Sequence, residues 1–245
     1  MIGKTNSIFV GGDDPKEAPV YTYSGDYQYI DDGITEDGVQ NWRIKLYTNG
    51  NFVFKQLNSA KNGIDVFLVG GGGGSSGTYA VGERGACGGG GYTTTATSVA
   101  VTKDTTYTVA IGAGGGAGGY RGNGGNGGAT SAFGYTADSG KGGIYSSGYG
   151  GNGGSGGNAY GSYAGRAVDG ADGASVGSYA GGTGQHTTTR EFAETSGDLY
   201  ASGGGFATLS QPNTGDGGAS RNDAAVGANG YSGIVIIRNH REVSA

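Results

Sequence analysis

The spacing of apolar and polar residues predicts β-strands near both ends of the chain. From Tyr21, the stretch YTYSGDYQYI alternates aromatic and polar residues, and a turn signal, DDG, follows it. Residues 42–47 alternate in the same way, so their apolar side chains share one face. Because Asn-Gly pairs favour two-residue turns, we predict a hairpin through Asn49-Gly50 that returns along Phe52-Val53-Phe54.

Three more segments have the pattern of strands. Residues 64–69, IDVFLV, are apolar at nearly every position, which is typical of a strand buried on both faces. Residues 92–111 are the longest stretch without glycine and predict two strands that turn at Lys103-Asp104. Residues 234–237, IVII, form the last strand. No segment predicts a helix with any strength, since even 186–196, HTTTREFAETS, is short and rich in β-branched residues.

Between the strands the chain is dominated by glycine, of which it contains 60 in 245 residues. Two sets of non-glycine residues fall three apart: Tyr120, Asn123, Asn126 and Ala129, then Tyr149, Asn152, Ser155 and Asn158. A period of three is the repeat of an extended helix of the polyproline II kind, which rises about 3.1 Å per residue. Such rods can pack backbone to backbone, and the glycines expected at these contacts are Gly122, Gly125, Gly128, Gly151, Gly154, Gly157, Gly227 and Gly230.

Composition alone would also fit a disordered Gly/Ser linker. Glycine loses about 0.5–1 kcal/mol more than alanine on ordering, so the rods can be stable only as a cooperative, hydrogen-bonded bundle. The regular placement of Asn and Tyr, and the apolar strands on both flanks, favour order. The predicted fold class is all-β: a jelly-roll-like β-sandwich with a large glycine-rich insertion that forms a polyglycine II helix bundle, with essentially no α-helix.

This fold class divides the chain into three regions. Residues 1–20 form an N-terminal arm or docking segment. Residues 21–116 and 231–241 form the β-sandwich framework, and residues 117–230 form the glycine-rich bundle with its loops.

Charge and cysteine content exclude several classes of protein. The net charge is -5, and the Lys and Arg residues are scattered, which speaks against nucleic-acid binding. The single cysteine, Cys87, excludes internal disulfides and a cysteine-based metal cluster, and we expect it to be buried. Because no signal peptide and no run of 18 apolar residues occur, we expect neither ordinary secretion nor membrane insertion.

The sequence contains no convincing catalytic, cofactor or metal site. Residues 72–77 formally satisfy G-x-G-x-x-G, but the residues that follow cannot begin the helix that a dinucleotide site needs. Asp169 and Asp172 lie three apart, which is too few oxygen ligands for calcium. His186 and His240 are the only histidines, and no nucleophile elbow leads into a helix. We therefore expect no enzymatic activity, no cofactor and no metal.

An ordered series of motifs carries a family resemblance over roughly residues 21–240. The series is IDVFLVGGGGGS, GGGGYTTTATSVAVTKDTTYTVAIGAGG, GGNGGATSAFG, TTTREFAE and GIVIIRN. Together they resemble the glycine-rich tail proteins of bacteriophages and of prophages in gut Gram-positive bacteria. The arrangement is also similar to that of T-even-type tail-fibre tip adhesins and to the glycine-rich region of certain animal receptor kinases. Residues 1–20 match no known attachment domain.

The resemblance implies that the protein recognises a bacterial host surface from a virion tail tip. In such adhesins the contacts lie where one rod turns into the next, which here implies the tyrosines Tyr145, Tyr149, Tyr160, Tyr163, Tyr179 and Tyr200. Tyrosine offers a large, rigid contact area with a hydroxyl group. The implied partners are a glycan or protein receptor on the cell and other tail proteins, with a homotrimer as the expected assembly. The protein would be made in the host cytoplasm and released by lysis.

Two other functions stay open at this point. The protein could be a structural tail or decoration protein with only virion partners, whose tyrosines would cap the bundle. It could also be an ice-binding or polysaccharide-binding protein, although the Asn123 and Asn126 row is short for a flat binding face.

Overall fold

The computed structural model describes residues 14–79, 83, 85–159, 167–205, 212–220 and 226–241. Ten strands follow one another along the chain: β1 (Val20–Tyr23), β2 (Tyr27–Ile34), β3 (Gln40–Leu46), β4 (Gly50–Gln56), β5 (Ile64–Val69), β6 (Thr93–Val99), β7 (Thr106–Val109), β8 (Thr130–Ala132), β9 (Tyr135–Ala137) and β10 (Ile234–Asn239). The only helical pieces among the described residues are two short 3₁₀ turns, Asn58–Asn62 and Glu191–Ala193. The prediction of an all-β fold with essentially no α-helix is confirmed.

Two antiparallel sheets enclose the main hydrophobic core. One sheet has the order β1-β4-β7 and the other β2-β3-β10-β5-β6, with the β8-β9 hairpin beside them. The apolar residues of β3 alternate inward as predicted, and they meet the phenylalanines of β4 across the core. The core is built from fully buried side chains, among them Trp42, Ile44, Leu46, Phe52, Phe54, Ile64, Val66, Leu68, Val235 and Ile237.

The predicted hairpin through Asn49-Gly50 is wrong. β3 and β4 lie in different sheets, so this segment crosses the sandwich and does not close a two-stranded turn. Neither residue has a positive φ. The Asn49 side chain instead accepts a hydrogen bond from the Ile111 N–H at 2.7 Å. The crossing places the two phenylalanines of β4 opposite β3, where both strands can bury their apolar faces.

The outer face of the larger sheet is covered by residues 186–200, which we call the strap. Phe192 and Tyr200 of the strap pack on Phe67 of β5, with ring centroids 6.0 and 5.5 Å apart. Together with Ile234 and Ile236 they form a second core. β5 and β10 are therefore buried on both faces, which explains why they are apolar at almost every position.

Glycine rods continue directly from the strands. Rod R1 (70–78) extends β5 beyond the sheet, and rod R2 (85–92) leads back into β6. Rods R3 (112–119), R4 (122–128) and R5 (138–144) follow, and further segments of the bundle are 149–159, 171–184, 201–205, 215–220 and 226–233. R1 and R2 lie within the range that the sequence assigned to the framework. They nevertheless form the centre of the bundle.

The hydrogen bonds of R1 repeat every three residues. Gly70, Gly73 and Ser76 donate to R2, while Gly71, Gly74 and Gly77 donate to R4. Gly72 and Ser75 donate to the segment 226–233, and all eight N···O distances are 2.8–3.0 Å. R1 carbonyls accept bonds from R3, R5 and the segment 215–220. R1 is thus surrounded by six neighbours, the arrangement expected when threefold rods pack with their axes side by side.

Asparagine side chains extend this lattice where a neighbouring carbonyl is missing. Asn123 and Asn126 on R4 accept the N–H groups of Tyr145 and Gly142 at 2.8 and 3.0 Å. The two asparagines are three residues apart on R4, and their donors Gly142 and Tyr145 are also three residues apart. The same bond joins Asn152 to Thr183, Asn158 to Ala174, and Asn229 to Ala117. The period-three asparagines therefore hold rods together through their amide oxygens.

Candidate interaction surface

The rods end in turns on the side of the molecule that is remote from the sheets. R1 rises over about 25 Å at about 3.1 Å per residue. At its far end the Thr78 carbonyl accepts a bond from Arg121 N–H, in the turn between R3 and R4, at 3.2 Å. R5 runs parallel to R1, because Gly140 and Gly143 donate to Gly71 and Gly74. We call this end the tip, and it comprises residues 79, 120–121, 144–149, 176–179 and 226.

Short turns with left-handed residues shape the tip. The turn after R5 is closed by a 3.3 Å bond from Gly148 N–H to the Tyr145 carbonyl, and Gly148 has a φ of 65°. In the turn 176–179, Val176 and Tyr179 exchange two backbone bonds of 2.9 Å around Gly177, whose φ is 56°. These backbone bonds fix the turns without help from the exposed side chains.

Exposed apolar side chains are concentrated at the tip. Seven of the eleven large apolar residues that are exposed in the described part of the chain lie there: Tyr79, Tyr120, Ile144, Tyr149, Val176, Tyr179 and Val226. The other four are Tyr29, Ile34, Tyr135 and Val168, which lie on or beside the sandwich end of the molecule. Clustered exposed aromatics on an otherwise small-residue surface are the usual mark of an interaction site.

The structure places three of the six implied contact tyrosines at the tip. Tyr149 and Tyr179 are 44% and 42% exposed, on adjacent segments joined by a bond from Gly150 N–H to the Ala180 carbonyl. Tyr145 is half-buried in its turn. Tyr160 and Tyr163 lie outside the described residues.

Tyr200 corrects the expectation from sequence. Its side chain is only 5% exposed and belongs to the second core beneath the strap. Its hydroxyl accepts a bond from Lys45 Nζ at 2.9 Å, and burial raises the pKa of Tyr200 to about 12. A buried hydroxyl bonded to a lysine cannot contact a cell surface. The strap is rich in polar residues, so its sequence gives no sign that Phe192 and Tyr200 pack against the sheet.

Sequence reasoning missed a second aromatic group at the tip. Arg121 lies over the Tyr79 ring, with its Cζ atom 4.3 Å from the ring centroid, and 5.4 Å from the centroid of Tyr120. The two tyrosine rings are 6.1 Å apart and are 51% and 59% exposed. A signal was present, because each aromatic directly follows the last residue of a glycine-rich run.

The glycines predicted at rod contacts fall into two groups. A Cβ atom on Gly151, Gly154, Gly157, Gly227 or Gly230 would lie 1.9–2.4 Å from a neighbouring carbonyl oxygen. A Cβ on Gly122, Gly125 or Gly128 would be 3.0–3.1 Å from its nearest atom. The tightest positions of R4 are instead Gly124 and Gly127, at 2.0 and 2.1 Å from carbonyl oxygens of R1. The side chains of Asn123 and Asn126 point toward R5 and solvent. The glycine that follows each asparagine therefore points toward R1.

Charged residues under the strap form a structural network. Glu191, almost fully buried, pairs with Arg43 at 2.6 Å, and Arg238 pairs with the buried Asp65 at 3.0 Å. His240 Nδ1 also lies 2.7 Å from an Asp65 oxygen. These contacts tie the strap and the chain end to the larger sheet.

The positions considered for chemistry have other partners. Gly72 lies inside R1, whereas Asp169 bonds to Thr188 and Asp172 to the Gly184 N–H. Within the described ranges, no three His, Cys, Asp or Glu residues are grouped so that they could hold a metal ion.

The part of the chain that the structure describes also has no helix of the length and apolar character needed to cross a bilayer.

The lattice geometry agrees with one comparison. A family model described as a glycine-rich domain matches residues 48–240, a range that begins just before β4 and ends just after β10. The chain belongs to this glycine-rich domain family. No curated protein sequence matches it. The family description refers to glycine content and names no activity.

Proposed function

We propose that the protein is a tail-tip receptor-binding protein of a bacteriophage or prophage, which contacts the bacterial host surface through the turns of its glycine-rod bundle. One observation carries this proposal. Seven of the eleven exposed large apolar residues in the described part of the chain sit on the turns that are farthest from the sandwich. The sandwich end would then face the rest of the tail, and the tip would face the cell.

The construction of the bundle suits this task. Rod contacts are backbone hydrogen bonds, as in R1, so the turns at the rod ends can change sequence without changing the lattice. A rigid base that carries variable loops is the common plan of recognition proteins. Individual contacts through tyrosine would be weak, and several copies on one tail, such as the expected trimer, would multiply them.

The test is adsorption of the labelled full-length protein to a panel of Gram-positive cells. The double variant Tyr149→Ser and Tyr179→Ser removes two tip aromatics. The matched control, Tyr29→Ser and Tyr135→Ser, removes two tyrosines of almost equal exposure, 40% and 39%, at the sandwich end. We expect strain-selective binding that the tip variant loses and the control keeps. Equal binding by both variants, or no binding of the unmodified protein to any strain, would overturn the proposal.

A second candidate is a structural tail protein that binds only virion partners, and a specific feature of R3 favours it. A Cβ atom on Gly116 or Gly119 would meet nothing within 4 Å, and neither residue has a positive φ. Their N–H groups also find no acceptor among the residues that the structure describes. Among the described residues nothing requires glycine at these two positions, whereas an added rod from another protein would require it.

This candidate has a separate test. Gly116→Leu should leave the isolated protein folded and should still allow adsorption to cells if the tip is the binding site. If the R3 edge joins virion proteins, the same variant should lose co-purification with tail proteins. Retention of that co-purification would exclude an R3 contact.

A further inference from the structure

We propose that Tyr79, Tyr120 and Arg121 form a binding subsite for an acidic saccharide, meaning a pyranose ring that carries a carboxylate or a phosphate. The inference deepens the function proposed above and rests on it. It uses residues of the tip other than the tyrosines implied by the resemblance. The observation behind it is an exposed guanidinium that lies over two adjacent, exposed aromatic rings.

Hydrogen bonds hold the backbone of Arg121 and of Tyr79 at the end of R1. Arg121 N–H donates to the Thr78 carbonyl at 3.2 Å, which joins the turn of R3 and R4 to the end of R1. Tyr79 N–H donates to a carboxylate oxygen of Glu83 at 3.2 Å. The two tyrosines therefore come from different rods and are held beside each other by the lattice. A preorganised site of this kind loses little entropy when it binds.

Arg121 is available for an acidic group. No carboxylate within the described ranges forms an ion pair with it. The contact with the Tyr79 ring, with Cζ 4.3 Å from its centroid, is a cation–π contact and supplies no oxygen acceptor to the guanidinium N–H groups. Those N–H groups match a carboxylate or a phosphate in two-point geometry, which lysine cannot reproduce.

The aromatic rings point to a sugar. A pyranose presents a face of C–H groups that packs on an aromatic ring, while its hydroxyl groups stay at the rim in water. Arg121 covers part of both rings, so the sugar would pack on the ring surfaces that stay exposed, since Tyr79 and Tyr120 are still 51% and 59% exposed. The protein carries a net charge of -5, so general attraction of polyanions does not operate, and recognition must come from this local arrangement.

Ligand-observed saturation-transfer NMR on the full chain tests the subsite. The probes are glucuronic acid and glucose 6-phosphate, and glucose is the uncharged control. We expect saturation of the pyranose C–H protons for one or both acids, and at least about tenfold weaker binding of glucose, because a charge-assisted two-point contact is lost. Which acid binds more tightly distinguishes a carboxylate from a phosphate source.

Variants separate the subsite from simple charge. Arg121→Gln removes the guanidinium and keeps the backbone bond to Thr78, and it should abolish the preference for the acids. Lys141→Gln removes one exposed positive charge from R5 and should change nothing. Equal affinity for glucose and the acids, or equal losses in both variants, would overturn the inference.

Cell adsorption measured in parallel keeps the two proposals apart. If the unmodified protein adsorbs to cells but binds neither acid, the subsite is wrong and the adhesin function stands. If it binds the acids through Arg121 but adsorbs to no strain, the subsite stands and the adhesin function is wrong.

Discussion

The sandwich and the bundle bury their interiors by opposite means. In the sandwich, large side chains such as Trp42 and Phe52 fill the space between two sheets, and the backbone lies outside them. In the bundle, the backbone itself is the interior, and R1 is buried along residues 70–78 with only the small side chains of Ser75, Ser76 and Thr78. The sandwich therefore depends on apolar area, and the bundle depends on the absence of side chains.

The difference predicts different sensitivities to mutation. A core of side chains tolerates replacement by another apolar residue of similar volume. A lattice of backbone rods has no room for a Cβ atom where one rod faces the next, but a side chain that points outward should not disturb it. The same substitution, glycine to alanine, should therefore have opposite effects at the centre and at the edge of the bundle.

The largest effect is expected from Gly74→Ala. The new Cβ would lie 2.1 Å from the Gly116 carbonyl oxygen, and R1 could yield only by breaking its backbone hydrogen bonds to the neighbouring rods. We expect a loss of about 4 kcal/mol or more in the free energy of unfolding. Urea unfolding followed by far-UV circular dichroism measures it, and failure to obtain folded protein would agree with the expectation.

The matched control is Gly116→Ala, on the other side of the same contact. Its Cβ would meet nothing within 4 Å and its φ is not positive, so alanine should be neutral or add about 0.4–1 kcal/mol by restricting the unfolded chain. Similar losses in both variants would show that the lattice is not held by close backbone approach.

The sequence predicted those parts of the fold that rest on local periodicity. Alternation in β3, the continuous apolar run of β5 and the period of three in R4 each follow from local geometry, and the structure contains all three. The crossing at Asn49-Gly50 was missed, because the choice between a hairpin and a second sheet depends on distant partners such as Ile111. The turns of the tip were implied only by the family resemblance, and Tyr145, Tyr149 and Tyr179 of the six implied tyrosines lie there.

Long-range packing explains the remaining misses. Tyr200 is buried because Phe67 and Lys45, more than a hundred residues earlier, provide its partners. R1 is central because six segments, R2 among them, surround it. The spacing of residues within a single segment does not reveal how many neighbours a rod has.

An intermediate effect is expected from alkaline pH, which acts on the sandwich and its strap. Burial raises the pKa values of Tyr23 and Tyr200 to about 12, whereas an unfolded tyrosine titrates near 10. The native state therefore keeps protons that the unfolded state loses, and stability should fall as pH rises from about 10 to 12. For the well-buried Tyr200 the loss should be roughly 2–3 kcal/mol. Urea midpoints at pH 8, 10 and 11 measure the first half of this loss, about 1.4 kcal/mol by pH 11.

Tyr200→Phe isolates this contribution. The variant loses the hydrogen bond from Lys45, so it should be less stable at pH 8, yet its further loss between pH 10 and 11 should be smaller than that of the unmodified protein. An unchanged pH dependence would exclude Tyr200 as a source. The glycine lattice of R1 has no titratable side chain and should contribute nothing to this slope.

The smallest effect is expected where a side chain substitutes for a rod. Asn126→Ala removes the oxygen that accepts the Gly142 N–H at 3.0 Å. The expected loss is about 1 kcal/mol, the usual net value of one hydrogen bond. Asn126→Asp keeps an acceptor in the same place and should restore most of that loss at neutral pH. Amide exchange at Gly142 measures the local effect and should accelerate in the alanine variant but not in the aspartate variant. Equal acceleration in both would show that the Asn126 oxygen does not hold the Gly142 N–H, because aspartate keeps that acceptor and almost the same side-chain volume, and the lattice at this edge would then rest on backbone contacts alone.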